Sequence, residues 1–376
     1  MCLLQLAGAG FAPRAALALA LADAPANAPE NASTDDDVVQ PGRALRFPRD
    51  HGAHPGARTE WWYATGWLGT EVAPTHGFQI TFFRSRTGLA GGNPSRFAAR
   101  QLLFAHAALT EIVAQRHLHD QRTARWNGDP QAALARAQIS DGAVRIDDWT
   151  LQHDQRAWTV QAPARDFALQ LRLAESQPPL LQGNAGYSRK GPDPSQASLY
   201  YSQPQLRVDG SIRVGDRASG TTTRAAGRAW LDHEWSEHLL HPQAVGWDWI
   251  GINLFDGSAL TVFVLRRRDG SALWGGGSFR GQGSASHSFA PSEVQMRAGR
   301  RWTSPASNAS YPVEWQVVTP AGGFALRALT DAQELDSRAS TGTIYWEGLS
   351  ELLDSGGQRV GLGYLEMTGY AGSLKL

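Results

Sequence analysis

Residues 247–265 read Trp247-Asp-Trp-Ile-Gly-Ile-Asn-Leu254, Phe255-Asp-Gly-Ser258 and Ala259-Leu-Thr-Val-Phe-Val-Leu265. The first and third segments are rich in aromatic and β-branched residues, which favour strands. The Asp-Gly pair between them favours a tight hairpin, because glycine accepts the positive φ that such a turn requires. A second Asp-Gly pair, at 269–270, precedes Ser271-Ala-Leu-Trp274. The stretch therefore predicts an antiparallel meander of strands.

The same alternation continues towards the N-terminus. Residues 60–68 and 78–84 are predicted as neighbouring strands, and Asp-Gly pairs recur at 141–142 and 209–210. Repeated meanders without crossover helices are typical of β-sandwiches and β-barrels. We therefore predict an all-β protein with a leader over residues 1–40 and two antiparallel β domains over 41–222 and 223–376.

The composition excludes several classes of function. The 376 residues contain 35 Lys+Arg and 35 Asp+Glu, so no basic surplus attracts a nucleic acid, which is not an expected partner. Cys2 is the only cysteine, which excludes internal disulfides and thiolate zinc sites. No Gly-x-Ser-x-Gly elbow, phosphate-binding Gly-Lys-Ser/Thr or Rossmann fingerprint follows a predicted strand.

The first forty residues are predicted to be an export signal followed by a disordered leader. Arg14 precedes the apolar run 15–22, which ends in Ala20-x-Ala22, a pattern typical of a signal-peptide core and cleavage site. The run is too short to span a bilayer, and a short buried helix is its other interpretation. We expect an exported protein, periplasmic or secreted, without an integral membrane segment; a lipid anchor on Cys2 is an alternative.

Two predicted strands direct aromatic side chains to defined faces. Alternation places Tyr63 with Trp61, and Trp62 with Glu60 on the other face of the first strand. In the strand over residues 247–254, Asp248 faces one way, and the residues that face the other way are Trp247, Trp249, Gly251 and Asn253. A filled barrel core is one interpretation of these aromatic rings. An aromatic cavity for an apolar ligand is the other.

Chemically active residues are densest in Trp230-Leu-Asp-His-Glu-Trp235. On a strand, Asp232 and Glu234 share one face, and His233 shares the other with Trp235. A carboxyl group packed against indole rings is poorly solvated, so its pKa rises and it can stay protonated near neutral pH. Such a group can act as a general acid towards carbon. A charged strand end with a hydrogen-bonded histidine is the alternative.

Several blocks, taken together, resemble a known family. They are Phe47-Pro-Arg-Asp-His-Gly-Ala-His-Pro55, Thr59-Glu-Trp-Trp-Tyr-Ala-Thr-Gly66, Gly77-Phe-Gln-Ile-Thr-Phe-Phe83, Ala229-Trp-Leu-Asp-His-Glu-Trp-Ser236, Gly246-Trp-Asp-Trp-Ile-Gly-Ile-Asn-Leu254, Tyr345-Trp-Glu-Gly348 and Gly363-Tyr-Leu-Glu-Met-Thr-Gly-Tyr370. These blocks, in the order in which they occur in the chain, resemble those of the AttH-like, carotenoid 1,2-hydratase-like lipocalin family. The resemblance implies two lipocalin-like antiparallel β-barrel domains in tandem, with a ligand cavity within or between them.

The resemblance also implies a role for Asp232. In the hydratases the matching segment resembles Tyr-His-Asp-His-Asn-Trp, and its aspartate is the proposed proton donor. Asp232 and His233 match this pattern, whereas Trp230, Leu231 and Glu234 replace Tyr, His and Asn. The acid is therefore retained while its surroundings differ.

The leading hypothesis is cofactor-independent acid catalysis, such as hydration, isomerisation or cyclisation, on a hydrophobic isoprenoid- or polyene-like small molecule. Asp232 would donate the proton. His233, Glu60 or Asp248 would orient it or position water, and indole rings would stabilise a cation by up to ~2 kcal/mol each. The predicted substrate-binding residues are Trp62, Tyr63, Trp230, Trp235, Trp247, Trp249, Asn253 and Tyr345.

Two other functions stay open. A lipocalin-type barrel without catalysis would be a periplasmic carrier of an apolar ligand. Metal-assisted hydrolysis would need His51, His54, His233 or His238 to converge. Because the His-Glu-x-x-His form is absent from the sequence, the leading hypothesis includes no metal.

Overall fold

The computed structural model describes residues 37–88, 95, 98–129, 131–238 and 240–372. The predicted signal peptide and most of the predicted leader lie outside the described residues. Within the described ranges, the structure contains no helix whose length and apolar character would allow it to cross a membrane. The described residues form strands and turns, with short 3-10 helices at Arg49–His51 and Pro291–Glu293.

Sheet A consists of the first thirteen strands. Their bounds are β1 Thr59–Gly69, β2 Pro74–Arg86, β3 Gln101–Glu111, β4 Arg116–Trp126, β5 Ala135–Ala137, β6 Ala143–Ile146, β7 Trp149–Asp154, β8 Ala157–Pro163, β9 Phe167–Ala174, β10 Leu180–Leu181, β11 Tyr187–Arg189, β12 Ala197–Val214 and β13 Thr221–Ser236. The order is β4-β3-β2-β1-β13-β12-β9-β8-β7-β6-β5, and β10 and β11 also pair with β12. The end strands β4 and β5 approach each other, so sheet A is a nearly closed barrel.

Sheet B contains most of the remaining strands. The bounds of these strands are β14 Gly246–Leu254, β15 Ala259–Arg266, β16 Ala272–Arg280, β17 Ser286–Phe289, β18 Gln295–Ala298, β19 Arg301–Thr303, β20 Ser310–Pro312, β21 Glu314–Thr319, β22 Gly322–Ala328, β23 Glu334–Asp336, β24 Ile344–Leu353 and β25 Arg359–Met367. The order is β17-β16-β15-β14-β25-β24-β22-β21-β18, with β23 on β24, while β19 and β20 form a separate pair.

The predicted all-β class is confirmed, and so is the meander, because β14, β15 and β16 pair antiparallel in sequence order. The chain passes from sheet A to sheet B between Ser236 and Gly246, after β13. The predicted division at 222/223 falls near the start of that strand; the division into domains stays a prediction.

The three largest apolar cores of the described residues follow from strand alternation. One core fills the inside of sheet A and includes Trp62 and Leu231. A second core lies on the far face of sheet B and includes Ile250. The third lies between the sheets and contains Trp230 and Trp249. Successive residues of β13 and β14 therefore belong to different cores, which decides where each polar side chain in these strands points.

Candidate acid site between the two sheets

A cavity of about 100 Å³ lies between sheets A and B. Strands β1, β2, β12 and β13 line it from one side, and β14, β15, β24 and β25 line it from the other. The mostly apolar wall contains four carboxyl side chains, Asp232, Glu234, Glu347 and Glu366. The cavity therefore combines acidic groups with a poorly hydrated surface.

Asp232 accepts hydrogen bonds from three neutral donors. The Tyr200 hydroxyl donates to Oδ2 at 2.7 Å. The Ser202 hydroxyl and the Trp230 indole N–H donate to Oδ1 at 2.5 and 2.7 Å. Ser202 reaches Asp232 because the two residues are direct partners in the pairing of β12 with β13.

Asp232 is partly protonated at neutral pH. Burial raises the pKa of its carboxyl to about 7, and the nearby charge of Glu234 acts in the same direction, although the three donors lower the pKa. Of the side chain's surface, only 3% is exposed. The predicted general acid thus has the protonation behaviour that proton donation at neutral pH requires.

The hydrogen bonds indicate which oxygen of Asp232 holds the proton. Gln182 Nε2 donates to Ser202 Oγ at 2.8 Å, so the Ser202 proton is directed at Oδ1. With Trp230 on the same oxygen, Oδ1 already accepts two bonds. Oδ2 contacts only the Tyr200 hydroxyl, which can accept a proton as well as donate one. The acidic proton therefore belongs on Oδ2.

Glu347 and Glu366 add two further carboxyls with raised pKa values. Burial, with the charges of Asp232 and Glu234, raises the pKa of Glu366 to about 7. Burial, followed by the charge of Glu366, raises the pKa of Glu347 well above its usual range. Glu347 Oε1 and the Tyr63 hydroxyl are both buried, and the Tyr63 hydroxyl, which faces Glu347, lowers the pKa of that carboxyl less than burial raises it. Both groups can serve a bound molecule.

Lys190 places positive charge beside one of the four carboxyls. Its Nζ lies 3.0 Å from Glu234 Oε1 and 4.6 Å from the centroid of the Tyr200 ring. In the part of the chain that the structure describes, no cation pairs with Asp232 or with the two other carboxyls of the lining. These three groups are therefore buried without a counter-ion.

The structure brings together part of the predicted site. Four predicted substrate-binding residues line the cavity with Asp232, namely Tyr63, Trp247, Trp249 and Tyr345. Their placement follows from alternation: Tyr63 pairs directly with Asp232 across β1 and β13. A cavity lined by aromatic residues that the sequence predicted is therefore present. Its wall contains more carboxyl groups than the sequence pattern indicated.

Trp230 and Asn253 lie beside this cavity. Trp230 donates to Asp232 and packs edge-on against Trp249, with 6.4 Å between the ring centroids, and both partners line the cavity. Asn253 Oδ1 accepts from the Gln205 backbone N–H at 2.7 Å, and its Nδ2 donates to the Ala229 carbonyl at 3.1 Å. Asn253 therefore joins the two sheets instead of facing a ligand.

Other predicted residues point away from Asp232. Glu60, Trp62, His233 and Trp235 lie on the opposite face of β1 and β13, where Trp62 stacks on His233 at 4.7 Å between ring centroids. Among the described residues, neither Glu60 nor His233 contacts Asp232, so the structure does not support the hypothesis that one of them orients this carboxyl. The reason is the period of two: residues 232 and 233 of one strand cannot share a face.

Asp248 is separated from the cavity in the same way. It lies on the far face of β14, where Arg266 Nε is 2.8 Å from its Oδ2 and the Tyr370 hydroxyl donates to Oδ1 at 3.0 Å. Burial raises its pKa to about 6, although Arg266 lowers it. Asp248 therefore belongs to the interior of sheet B. It does not contact Asp232, so its predicted role in orienting that residue is not supported.

Glu60 is the centre of a buried ionic network. Arg84 Nε donates to its Oε2 at 2.7 Å. His54 Nδ1 and His233 Nε2 lie 2.8 and 2.9 Å from its Oε1. Two of the four histidines that metal-assisted hydrolysis would require meet here, whereas His238 lines the acid cavity.

Sequence reasoning missed Glu347, Glu366 and Lys190. Both glutamates lie in segments that carry the family resemblance, and Glu347 is two residues from Tyr345, so alternation would have placed the two on one face. Lys190 precedes β12 in an irregular stretch, where no pattern predicts the direction of a side chain.

Comparisons with known proteins agree with this architecture. The AttH-like family model matches residues 38–370. An AttH protein from Nitrosomonas europaea is 44% identical in sequence, with a TM-score of 0.81 over 88% of this chain and 98% of that one. Kievitone hydratase from Nectria haematococca has a TM-score of 0.64 at 12% identity, over 88% of this chain and 94% of that one.

CghA in complex with Sch210972 has a TM-score of 0.54 at 10% identity, over 89% of this chain and 95% of that one. At such identities the last two structures share the fold alone, which supports the predicted lipocalin-like class. No curated protein sequence matches the chain. The match of the family model over most of the sequence, together with the closely similar AttH structure, shows that the chain belongs to the AttH-like family.

Proposed function

We propose that the protein catalyses cofactor-independent proton transfer to a carbon–carbon double bond of a hydrophobic, isoprenoid- or polyene-like molecule. The observation on which this depends is Asp232, buried between two sheets with a pKa of about 7 and no counter-ion among the described residues. An acid of this kind can protonate an unactivated carbon only in a site that excludes water.

The reaction begins with the proton on Oδ2. Asp232 transfers it to one carbon of the double bond, which leaves a cation on the other carbon and a carboxylate at Asp232. The Ser202 and Trp230 donors already face Oδ1, so two of the hydrogen bonds that stabilise the new negative charge are in place before the proton leaves. The Tyr200 hydroxyl then donates to Oδ2.

Aromatic rings of the cavity stabilise the cation. The indoles of Trp247 and Trp249 line the same cavity as Asp232, and a cation over such a ring gains up to ~2 kcal/mol when desolvated. Water that attacks the cation releases a proton to the Asp232 carboxylate, which completes a hydration. Loss of a proton from a neighbouring carbon to the same carboxylate completes an isomerisation.

The structural neighbours make hydration the first reaction to examine. Kievitone hydratase bears the name of a hydratase and has the same fold as this chain. The alternative function, an apolar-ligand carrier, uses the same aromatic wall and gives Asp232 no chemical role.

Product mass in heavy water distinguishes the two functions. The purified protein is incubated in D2O with a panel of prenylated phenols and acyclic polyenes, and products are analysed by mass spectrometry. Catalysis by Asp232 predicts a carbon-bound deuterium in every product, with an added water in the hydration products. Asp232→Asn should lower turnover at least ~100-fold, the usual contribution of a general acid.

Asp209→Asn is the matched control. It makes the same change at an exposed position of β12 that does not line the cavity, and its turnover should stay within about threefold of wild type. Binding of the substrate to Asp232→Asn, measured by quenching of tryptophan fluorescence, should be retained. Unchanged turnover in Asp232→Asn would contradict the assignment, and bound but chemically unaltered ligand from the whole panel would favour the carrier.

A further inference from the structure

We propose that His51, His153 and Glu175 form a binding site for a divalent transition metal in sheet A, separate from the acid cavity. His51 ends the first 3-10 helix, His153 lies in β7, and Glu175 directly follows β9. None of the three lines the acid cavity. The leading hypothesis from the sequence includes no metal, and it did not single out His153 or Glu175.

The three side chains already lie close to the separation that a metal requires. One ligand atom from each lies within 4.8 Å of the other two. His153 Nε2 and Glu175 Oε1 are 3.0 Å apart. Neighbouring ligands on a tetrahedral zinc ion, with bonds of about 2.0–2.1 Å, are about 3.3 Å apart. The His153–Glu175 pair is already near this separation, and the His51 ring, whose centroid lies 4.1 Å from that of His153, would have to rotate towards the pair to share one ion.

Outer hydrogen bonds orient both imidazole rings. His51 Nδ1 lies 2.7 Å from the Tyr201 hydroxyl, and His153 Nδ1 lies 3.1 Å from Asp141 Oδ1. Metal-binding histidines usually donate the N–H of the second ring nitrogen to such a partner, and the Asp141 carboxylate, which can only accept, fixes the tautomer of His153 in this way. His153 Nε2 then faces the Glu175 carboxylate, and His51 Nε2 forms no hydrogen bond with another described residue.

The carboxylate is oriented as well. Gln203 Nε2 donates to Glu175 Oε1 at 2.7 Å. Arg156 Nε lies 3.5 Å from Glu175 Oε2, but this arginine side chain is 75% exposed and can turn into solvent. The His153 and Glu175 side chains keep 8% and 9% of their surface exposed, so the site lies just beneath the protein surface, where water can serve as a further ligand.

The buried network around Glu60 is a poorer site. His54 and His233 use both ring nitrogens in hydrogen bonds with protein groups, as His153 does, so neither histidine of this network has a free ring nitrogen. Arg84 donates to Glu60 Oε2 at 2.7 Å, and its positive charge would repel a cation. The network therefore lacks the free ligand atom that His51 provides.

Zinc is the probe for the test. Protein purified through a chelator and then freed of it is titrated with zinc sulfate by calorimetry, and bound zinc is counted by elemental analysis after desalting. We expect one zinc per chain and a higher melting temperature in zinc. His153→Gln with Glu175→Gln should weaken binding at least ~100-fold, while the control His287→Gln, at an exposed position, should bind as wild type does.

Asp141→Asn tests the site without altering a ligand. Asp141 is partly exposed, so this variant should fold, and loss of the carboxylate behind His153 should weaken zinc binding about tenfold. Two results would overturn the proposal: wild-type protein that retains no zinc, and variants at positions 141, 153 and 175 that all bind zinc as tightly as wild type. The second result would assign the zinc to other residues.

Discussion

The two faces of β1 and β13 bury carboxyl groups in opposite electrostatic surroundings. On the inner face of sheet A, burial would raise the pKa of Glu60, but Arg84 and two histidines hold it well below its usual range. On the face towards sheet B, burial raises the pKa of Asp232 to about 7, since its partners are neutral donors. One face therefore contains a permanent anion and the other a proton donor.

The comparison separates burial from acidity. Glu60 and Asp232 are both almost completely buried, at 0% and 3% exposure. What differs is the neighbouring cation, which stabilises the charged form of Glu60 and is missing at Asp232 among the described residues. At these two positions, the presence or absence of a neighbouring cation decides whether the buried carboxyl is a permanent anion or a candidate acid.

The largest expected effect is on the inner face. Glu60→Gln leaves Arg84 buried without its anion, which should lower the free energy of unfolding by about 3–5 kcal/mol at neutral pH. Glu347→Gln makes the same change in the acid cavity, where no cation is lost. Its stability should change by less than about 1 kcal/mol or increase. Urea unfolding of both variants measures the difference. Equal losses in the free energy of unfolding would contradict the electrostatic difference between the two faces.

The second effect is a pH dependence of stability. Because the native state raises the pKa of Asp232 from 3.8 to about 7, the folded protein binds more protons than the unfolded chain between these values. The contribution of Asp232 to stability is therefore fully present below pH 4 and is lost as the pH rises through 7.

Asp232→Asn removes the titrating carboxyl, and with it the loss of stability that Asp232 causes as the pH rises. The variant should gain about 2 kcal/mol relative to wild type between pH 5 and pH 8, as measured by denaturant unfolding at both values. For Glu60 the sign is reversed, since its lowered pKa stabilises the fold above the unfolded value and fails only in acid. A stability difference that does not vary with pH would contradict a raised pKa at Asp232.

The smallest expected effect is on the pKa of Asp232 when either of two indoles of β13 is replaced. Trp230→Phe removes the N–H that donates to Asp232 Oδ1, which should raise the pKa of Asp232 and cost about 1 kcal/mol of stability. The Trp235 N–H, on the opposite face, is buried without a partner among the described residues. Trp235→Phe should therefore leave the pKa unchanged, and an equal shift in both variants would refute the direct hydrogen bond.

Strand alternation predicted much of the fold and half of the site. The Asp-Gly turns and apolar runs gave the meander of β14 to β16, and the period of two correctly placed Tyr63, Trp247 and Trp249 on the faces that meet. Asp232 was identified because it stands between indoles in one short segment. These signals are local, so they can be read from neighbouring residues.

The remaining residues come from contacts between distant segments. Glu347 and Glu366 reach the cavity through the packing of sheet B on sheet A, which no periodicity specifies. The grouping of Glu60 and His233 with Asp232 ignored the alternation that separates them. His153 and Glu175 meet His51 only after more than a hundred residues of chain have closed into the sheet. Sequence spacing provides no measure of such distances.

Direct titration of Asp232 tests the central claim. Carbon-13 NMR of protein labelled at the aspartate carboxyl carbons follows each group through the pH range, and Asp232→Asn identifies its resonance by absence. We expect a midpoint near 7 for Asp232. A midpoint below 5 would mean that the carboxyl is ionised at neutral pH, and it would contradict the role of Asp232 as proton donor.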